Sequence, residues 1–90
     1  VPTLWHLMHP NERPARFQVG GHRLDYVRMG IAGERGANGD YLFPRGYQPW
    51  STPSLIDTRA RGFSNQGHAS EFEALSEAQK RALLEYLKLL

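Results

Sequence analysis

The sequence predicts a mainly α fold with long irregular loops and one small β-hairpin. Three observations carry this. Residues 76–90 hold the clearest helical pattern in the chain, and residues 3–8 hold a second, shorter one. Residues 40–67 sustain neither a helical nor a strand period. The expected organisation is a short helix plus hairpin over 1–29, irregular loops over 30–75 and an amphipathic helix over 76–90.

Thr3 is the predicted N-cap of a helix running through Met8, with Leu4, Leu7 and Met8 on one apolar stripe and Trp5 and His6 off it. Pro10 ends that helix, because a residue before proline avoids the α region. Asn11-Glu12-Arg13-Pro14 then reads as a turn or extended link. Phe17-Gln18-Val19 alternates like a strand, and Gly20-Gly21 signals a turn. Leu24–Met29 is the expected hairpin partner. Four glycines between Gly30 and Gly39 imply a flexible loop. In 40–67, Tyr41, Phe43, Tyr47 and Trp50 stand among Pro44, Pro49 and Pro53. Such a segment keeps its shape by packing on something else, and long irregular segments of this kind are commonly functional. Ser76-Glu77-Ala78-Gln79 matches a capping box. Leu83, Leu84, Leu87 and Leu90 then form the docking face of a helix over roughly 77–89.

Composition narrows the function. Eleven Lys+Arg against nine Asp+Glu is too balanced to argue for nucleic-acid binding from charge. No apolar run approaches the ~18–20 residues of a membrane-spanning helix. Without cysteine, the chain itself holds no disulfide framework, thiolate zinc site, Cys nucleophile or haem-attachment motif. It starts Val1-Pro2-Thr3, with neither initiator Met nor signal peptide. Nine Gly and six Pro put much of it in loops. A domain of this size buries only about 60% of its unfolded surface at best. The expectation is a fragment or subunit that completes its core against another polypeptide.

The four histidines are the first candidates for chemistry. His6 and His9 stand at i, i+3 on the short helix, a chelating spacing that still lacks further ligands; as ordinary polar residues they are expected to be partly exposed. His22 follows Gly20-Gly21 and reads as a turn residue. His68 has a different context, Phe63-Ser64-Asn65-Gln66-Gly67-His68. Gly67 removes the Cβ beside it, so backbone can approach a flat ligand. Neutral imidazole is a common axial ligand of haem iron. An ordinary loop histidine stands as the alternative. Asp25 and Asp57 lack partners at catalytic spacing and read as turn or capping residues. No phosphate loop, nucleophile elbow or His-Glu zinc helix is present.

Taken in order, the motifs resemble the C-terminal end of dihaem c-type cytochromes of the peroxidase and rubber-oxygenase type. The stretches that carry the resemblance are Val1-Pro2-Thr3-Leu4-Trp5, Asn11-Glu12-Arg13-Pro14 with Phe17-Gln18-Val19-Gly20, Leu24-Asp25-Tyr26, Ile56-Asp57-Thr58, Ser64-Asn65-Gln66-Gly67-His68 and Leu75-Ser76 through Leu90. The resemblance implies the last part of a cytochrome c-like haem domain. It implies two covalent haems, one reactive toward peroxide or oxygen and one relaying electrons. His68 would be the second axial ligand of the electron-relay haem. Haem c needs Cys-x-x-Cys-His, so the haem and its other ligand must come from an N-terminal segment or partner chain outside these residues. The 40–67 segment would wrap the porphyrin, and Arg59 and Arg61 would pair with haem propionates or remain solvated. Trp5 and Trp50 would pack near the cofactor or carry electrons, or else pack in the core, which is the expected role. Haem c attachment implies a periplasmic or secreted location. The alternatives are a dihaem electron carrier without peroxide turnover and a haem-free interaction module docking through the C-terminal helix.

Overall fold

A computed structural model describes residues 1–90. The elements in chain order are α1 (Leu4–Met8), a 3₁₀ turn (Pro10–Glu12), β1 (Arg16–Val19), β2 (Leu24–Asp25), β3 (Gly30–Ile31), β4 (Glu34–Arg35), β5 (Tyr41–Leu42), β6 (Ser54–Asp57), α2 (Ala69–Glu73) and α3 (Glu77–Leu87). The expected mainly α fold is therefore wrong. A mixed four-stranded sheet in the order β4-β5-β1-β6 and a separate β2-β3 pair accompany three short helices.

β1 is the centre of the larger sheet. Phe17 pairs in parallel with Tyr41 on one side and antiparallel with Ile56 on the other. The expected hairpin between 17–19 and 24–29 does not form. β1 instead takes its antiparallel partner from 54–57, inside the segment expected to be irregular. Thr58 extends this pairing: its N–H and its hydroxyl both donate to the Ala15 carbonyl, at 2.8 and 2.7 Å. The parallel β1–β5 contact is reached by a crossover that contains the β2–β3 pair.

That pair docks on the N-terminus of α1. Asp25 Oδ1 accepts from the Val27 and Arg28 N–H groups at 2.9 and 3.0 Å, closing the connection. The carbonyls of Met29 and Arg28 accept the N–H groups of Leu4 and Trp5. Thr3 Oγ1 accepts the His6 N–H at 3.0 Å, as its N-cap role predicts. The first turn of α1 thus leaves none of these three donors unpaired. Gly30 permits the approach, because a Cβ there would collide with the Pro2 carbonyl oxygen.

α3 begins where its capping box predicts. Ser76 Oγ accepts from the Gln79 N–H and Gln79 Oε1 accepts from the Ser76 N–H. Its leucine face is only partly used: Leu84 is buried, while Leu83 and Leu87 are half-buried and Leu90 is exposed.

The core is thin. Twelve of 90 residues are buried, and the large apolar ones among them are Met8, Phe17, Tyr41 and Leu84. The radius of gyration is 13.5 Å, against about 12 Å for a typical domain of this length. Tyr26, Val27, Trp50, Phe63, Tyr86, Leu89 and Leu90 remain exposed. No helix is long and apolar enough to cross a membrane.

Candidate functional site

Two groups of polar residues are organised around α1. The first begins at Arg13, just beyond the proline that stops the helix. Its guanidinium folds back on the exposed carbonyls of the last helical turn: Nε donates to the His6 carbonyl at 3.2 Å and Nη2 to the Leu7 carbonyl at 2.7 Å. A cation is favoured there, since a helix C-terminus is electronegative. Nη1 donates to the Asn65 carbonyl at 2.6 Å. One buried side chain therefore ties the loop before His68 to α1. Burial lowers the Arg13 pKa from its ordinary value, opposed by the Glu73 carboxylate.

His68 lies three residues beyond that tie. It is the N-cap of α2 with φ 60° and ψ 14°, a left-handed conformation, and its side chain makes no capping hydrogen bond. Its ring is 69% exposed, and the nearest carboxylate oxygen, on Glu71, is 3.9 Å from Nδ1, beyond hydrogen-bond length. Both ring nitrogens are free to bind. A Cβ added at Gly67 would meet nothing within 4 Å, so this chain alone does not require glycine there. The loop carries its own small turn, in which Ser64 Oγ accepts the Gln66 N–H at 3.1 Å.

The two arginines before this loop differ. Arg59 is committed to Asp57: its backbone N–H and Nε donate to Oδ1 at 2.9 and 3.1 Å, and Nη2 donates to Oδ2 at 3.3 Å. The pair lowers the Asp57 pKa and raises that of Arg59. Arg61 is exposed and forms no ion pair within the chain. Asp25 and Asp57 both serve turns, as their sequence context predicts.

The second group is the histidine pair of α1, which is not partly exposed as expected. His6 is 2% exposed and His9 8%. Thr3 Oγ1 and His6 Nδ1 share a hydrogen bond of 2.7 Å. Burial, aided by Arg28 and Arg35, pushes the His6 pKa down to about 4. The His6 ring meets Tyr41 edge to face at 4.8 Å. His9 Nδ1–H donates to the Trp5 carbonyl at 2.7 Å, and its Nε2 lies 3.0 Å from Glu77 Oε2. Its ring stacks on Trp5 at 4.1 Å. The His9 contact holds the Glu77 carboxyl below the usual carboxylate range. No cluster of three or more His, Asp or Glu side chains could hold a metal ion.

Trp50, expected in the core, is exposed, and its Nε1 donates to the His22 carbonyl at 3.1 Å. His22 sits beside the predicted Gly20-Gly21 turn with its Nδ1 buried and unpaired. Arg13 and Asn65 carry the positioning of the His68 loop, and the sequence reading missed both. The available signal was a cation one turn past a helix stop.

Comparison with protein families, characterised proteins and solved structures finds no match.

Proposed function

We propose that this chain supplies His68 as an axial ligand to a c-type haem carried by a Cys-x-x-Cys-His segment outside these residues, within a dihaem oxidoreductase of the peroxidase or oxygenase kind. The observation that carries the reading is His68 itself. A left-handed non-glycine residue costs about 1 kcal/mol or more. Neither ring nitrogen gains a hydrogen bond that would offset this. A single imidazole suffices as the axial donor to iron held by a porphyrin, whereas a site built from protein ligands alone needs three or four.

The surroundings fit a flat cofactor. The space over Gly67 is open, and Phe63 and Arg61 are exposed on the same loop. Arg61 is free to pair with a propionate; Arg59 would have to leave Asp57 first. Bound haem of this kind supplies one-electron redox chemistry. The chain's own part is to orient His68, through the Arg13–Asn65 tie, and to cover one porphyrin edge with loop 59–68. The exposed apolar side chains would pack against the haem-bearing segment. Haem c attachment places such a protein in the periplasm or outside the cell.

The test is co-production with the haem-bearing polypeptide. A Soret band should track this chain through purification, and His68→Ala should convert a low-spin spectrum to high-spin. An unchanged spectrum in His68→Ala refutes the ligand assignment. A second reading, a haem-free docking module, is favoured by the exposed Tyr86, Leu89 and Leu90 at the end of α3. A partner without Cys-x-x-Cys-His and without visible absorbance would decide for it. Turnover of peroxide, or of oxygen with an unsaturated substrate, separates an enzyme from an electron carrier.

A further inference from the structure

We infer that the cavity between α1 and the β4–β5 edge binds a small oxyanion, a carboxylate or phosphate group, between Arg28 and Arg35 and beside the His6 ring. The site is independent of the His68 reading. Its volume is about 280 Å³, near the lower end of small-molecule pockets, and Trp5, His6, Arg28, Arg35 and Tyr41 supply its walls, with Glu12 and Glu34 also bordering it.

Each donor is placed by a separate part of the fold. Strand pairing sets Arg35 opposite Tyr41. The Arg35 side chain is steadied by one bond, from Nη2 to the Glu12 carbonyl at 2.9 Å. Arg28 follows the Asp25 turn and lies 5.0 Å from the centre of the Trp5 ring. The Tyr41 hydroxyl donates to the Ile31 carbonyl at 2.9 Å. His6, which also lines the cavity, is fixed through Nδ1 by Thr3.

Two charges of each sign border the cavity, Arg28 and Arg35 with Glu12 and Glu34. Neither Arg28 nor Arg35 forms an ion pair with any carboxylate, although Glu12 and Glu34 border the same cavity. Glu34 Oε1 instead accepts the Arg45 N–H at 3.2 Å. The charges nearest the His6 ring include Arg28, Arg35 and the Val1 amino terminus, all cationic. Two guanidinium groups that border one cavity without a carboxylate partner are donors suited to an oxyanion.

The probes are inorganic phosphate and acetate, titrated into the full chain at constant ionic strength set with chloride. The readout is the His6 ring signal in a proton–carbon NMR spectrum. A saturable shift with either probe is expected, and the tighter of the two names the ligand class. Arg28→Gln and Arg35→Gln should each weaken binding about tenfold or more. Arg35 is exposed, so Arg35→Gln keeps the test open if Arg28→Gln fails to fold. A shift that chloride reproduces, that never saturates, or that survives both substitutions overturns the inference.

Discussion

Acid should destabilise this protein through a single buried ring. His6 is held neutral with a pKa of about 4, against 6.5 for the unfolded chain. Between those values the unfolded state binds a proton that the folded state does not. Stability is therefore fully present above pH 6.5, falls as the pH drops toward 4 and loses nothing further from this group below that. At about 1.4 kcal/mol per pH unit the full span amounts to about 3 kcal/mol. The ring borders an open cavity, and screening there reduces the effect to about 2 kcal/mol. A domain of this length has on the order of 5–13 kcal/mol to lose, and its thin core argues for the lower end. The measurement is urea unfolding across that pH window for the native chain and for His6→Gln, whose amide can still hydrogen-bond Thr3 but does not titrate. Asp57 and Glu77 also titrate under acid but are common to both proteins, so they cancel in the difference. The native chain should lose about 2 kcal/mol more than the variant. Parallel pH profiles would refute the claim that a buried neutral imidazole supports this fold.

Three further outcomes follow from the same geometry. Arg13→Met leaves the carbonyls of His6, Leu7 and Asn65 without their donor; it should cost about 3 kcal/mol in urea unfolding and speed tryptic cleavage after Arg59 and Arg61. Glu77→Gln weakens the link from α3 to His9, and faster amide exchange in the first turn of α3 would register it. Because the Glu77 pKa is lowered, its stabilisation is present above the ordinary 4.5 and is lost as the pH falls below it. Gly67→Ala should change the stability of the isolated chain by no more than about 0.5 kcal/mol, whereas Gly30→Ala should cost over ~2 kcal/mol, both measured by thermal unfolding.

What could be read from the sequence was what is local. The start of α3 is written in four residues, Ser76 to Gln79, and the start of α1 in Thr3 and the apolar positions after it. Both caps close over three residues, so no distant information is needed. The strands are the opposite case. Four of the six have two residues, too few for a period-of-two pattern to register. The partners of Phe17 are Tyr41 and Ile56, and nothing near Phe17 in sequence announces them. His6 was misplaced for a related reason. A polar residue off the apolar stripe of a helix is ordinarily solvated, and it is buried here because Tyr41 arrives from the sheet. Within the candidate site the His68 segment stood out on composition. The cation that holds it, fifty-two residues away from Asn65, did not.

α1 is only five residues long and could not persist alone, since isolated helices of that length are unstable in water. It stands because each end is closed from elsewhere: the 28–29 turn and Thr3 meet its N–H groups, and Arg13 meets its carbonyls. The closures at the two ends are also the supports of the two proposed sites. Arg28, whose carbonyl accepts the Trp5 N–H, presents its guanidinium to the oxyanion cavity. Arg13, whose guanidinium caps the other end, holds the loop that presents His68. Loosening α1 at one end should therefore be felt at the other, because a helix of little more than one turn has no interior to absorb the change. The loop-side variant Arg13→Met should broaden the His6 ring signal even though Arg13 does not border the cavity. A His6 signal left untouched while loop 59–68 becomes mobile would mean that the two sites are merely adjacent.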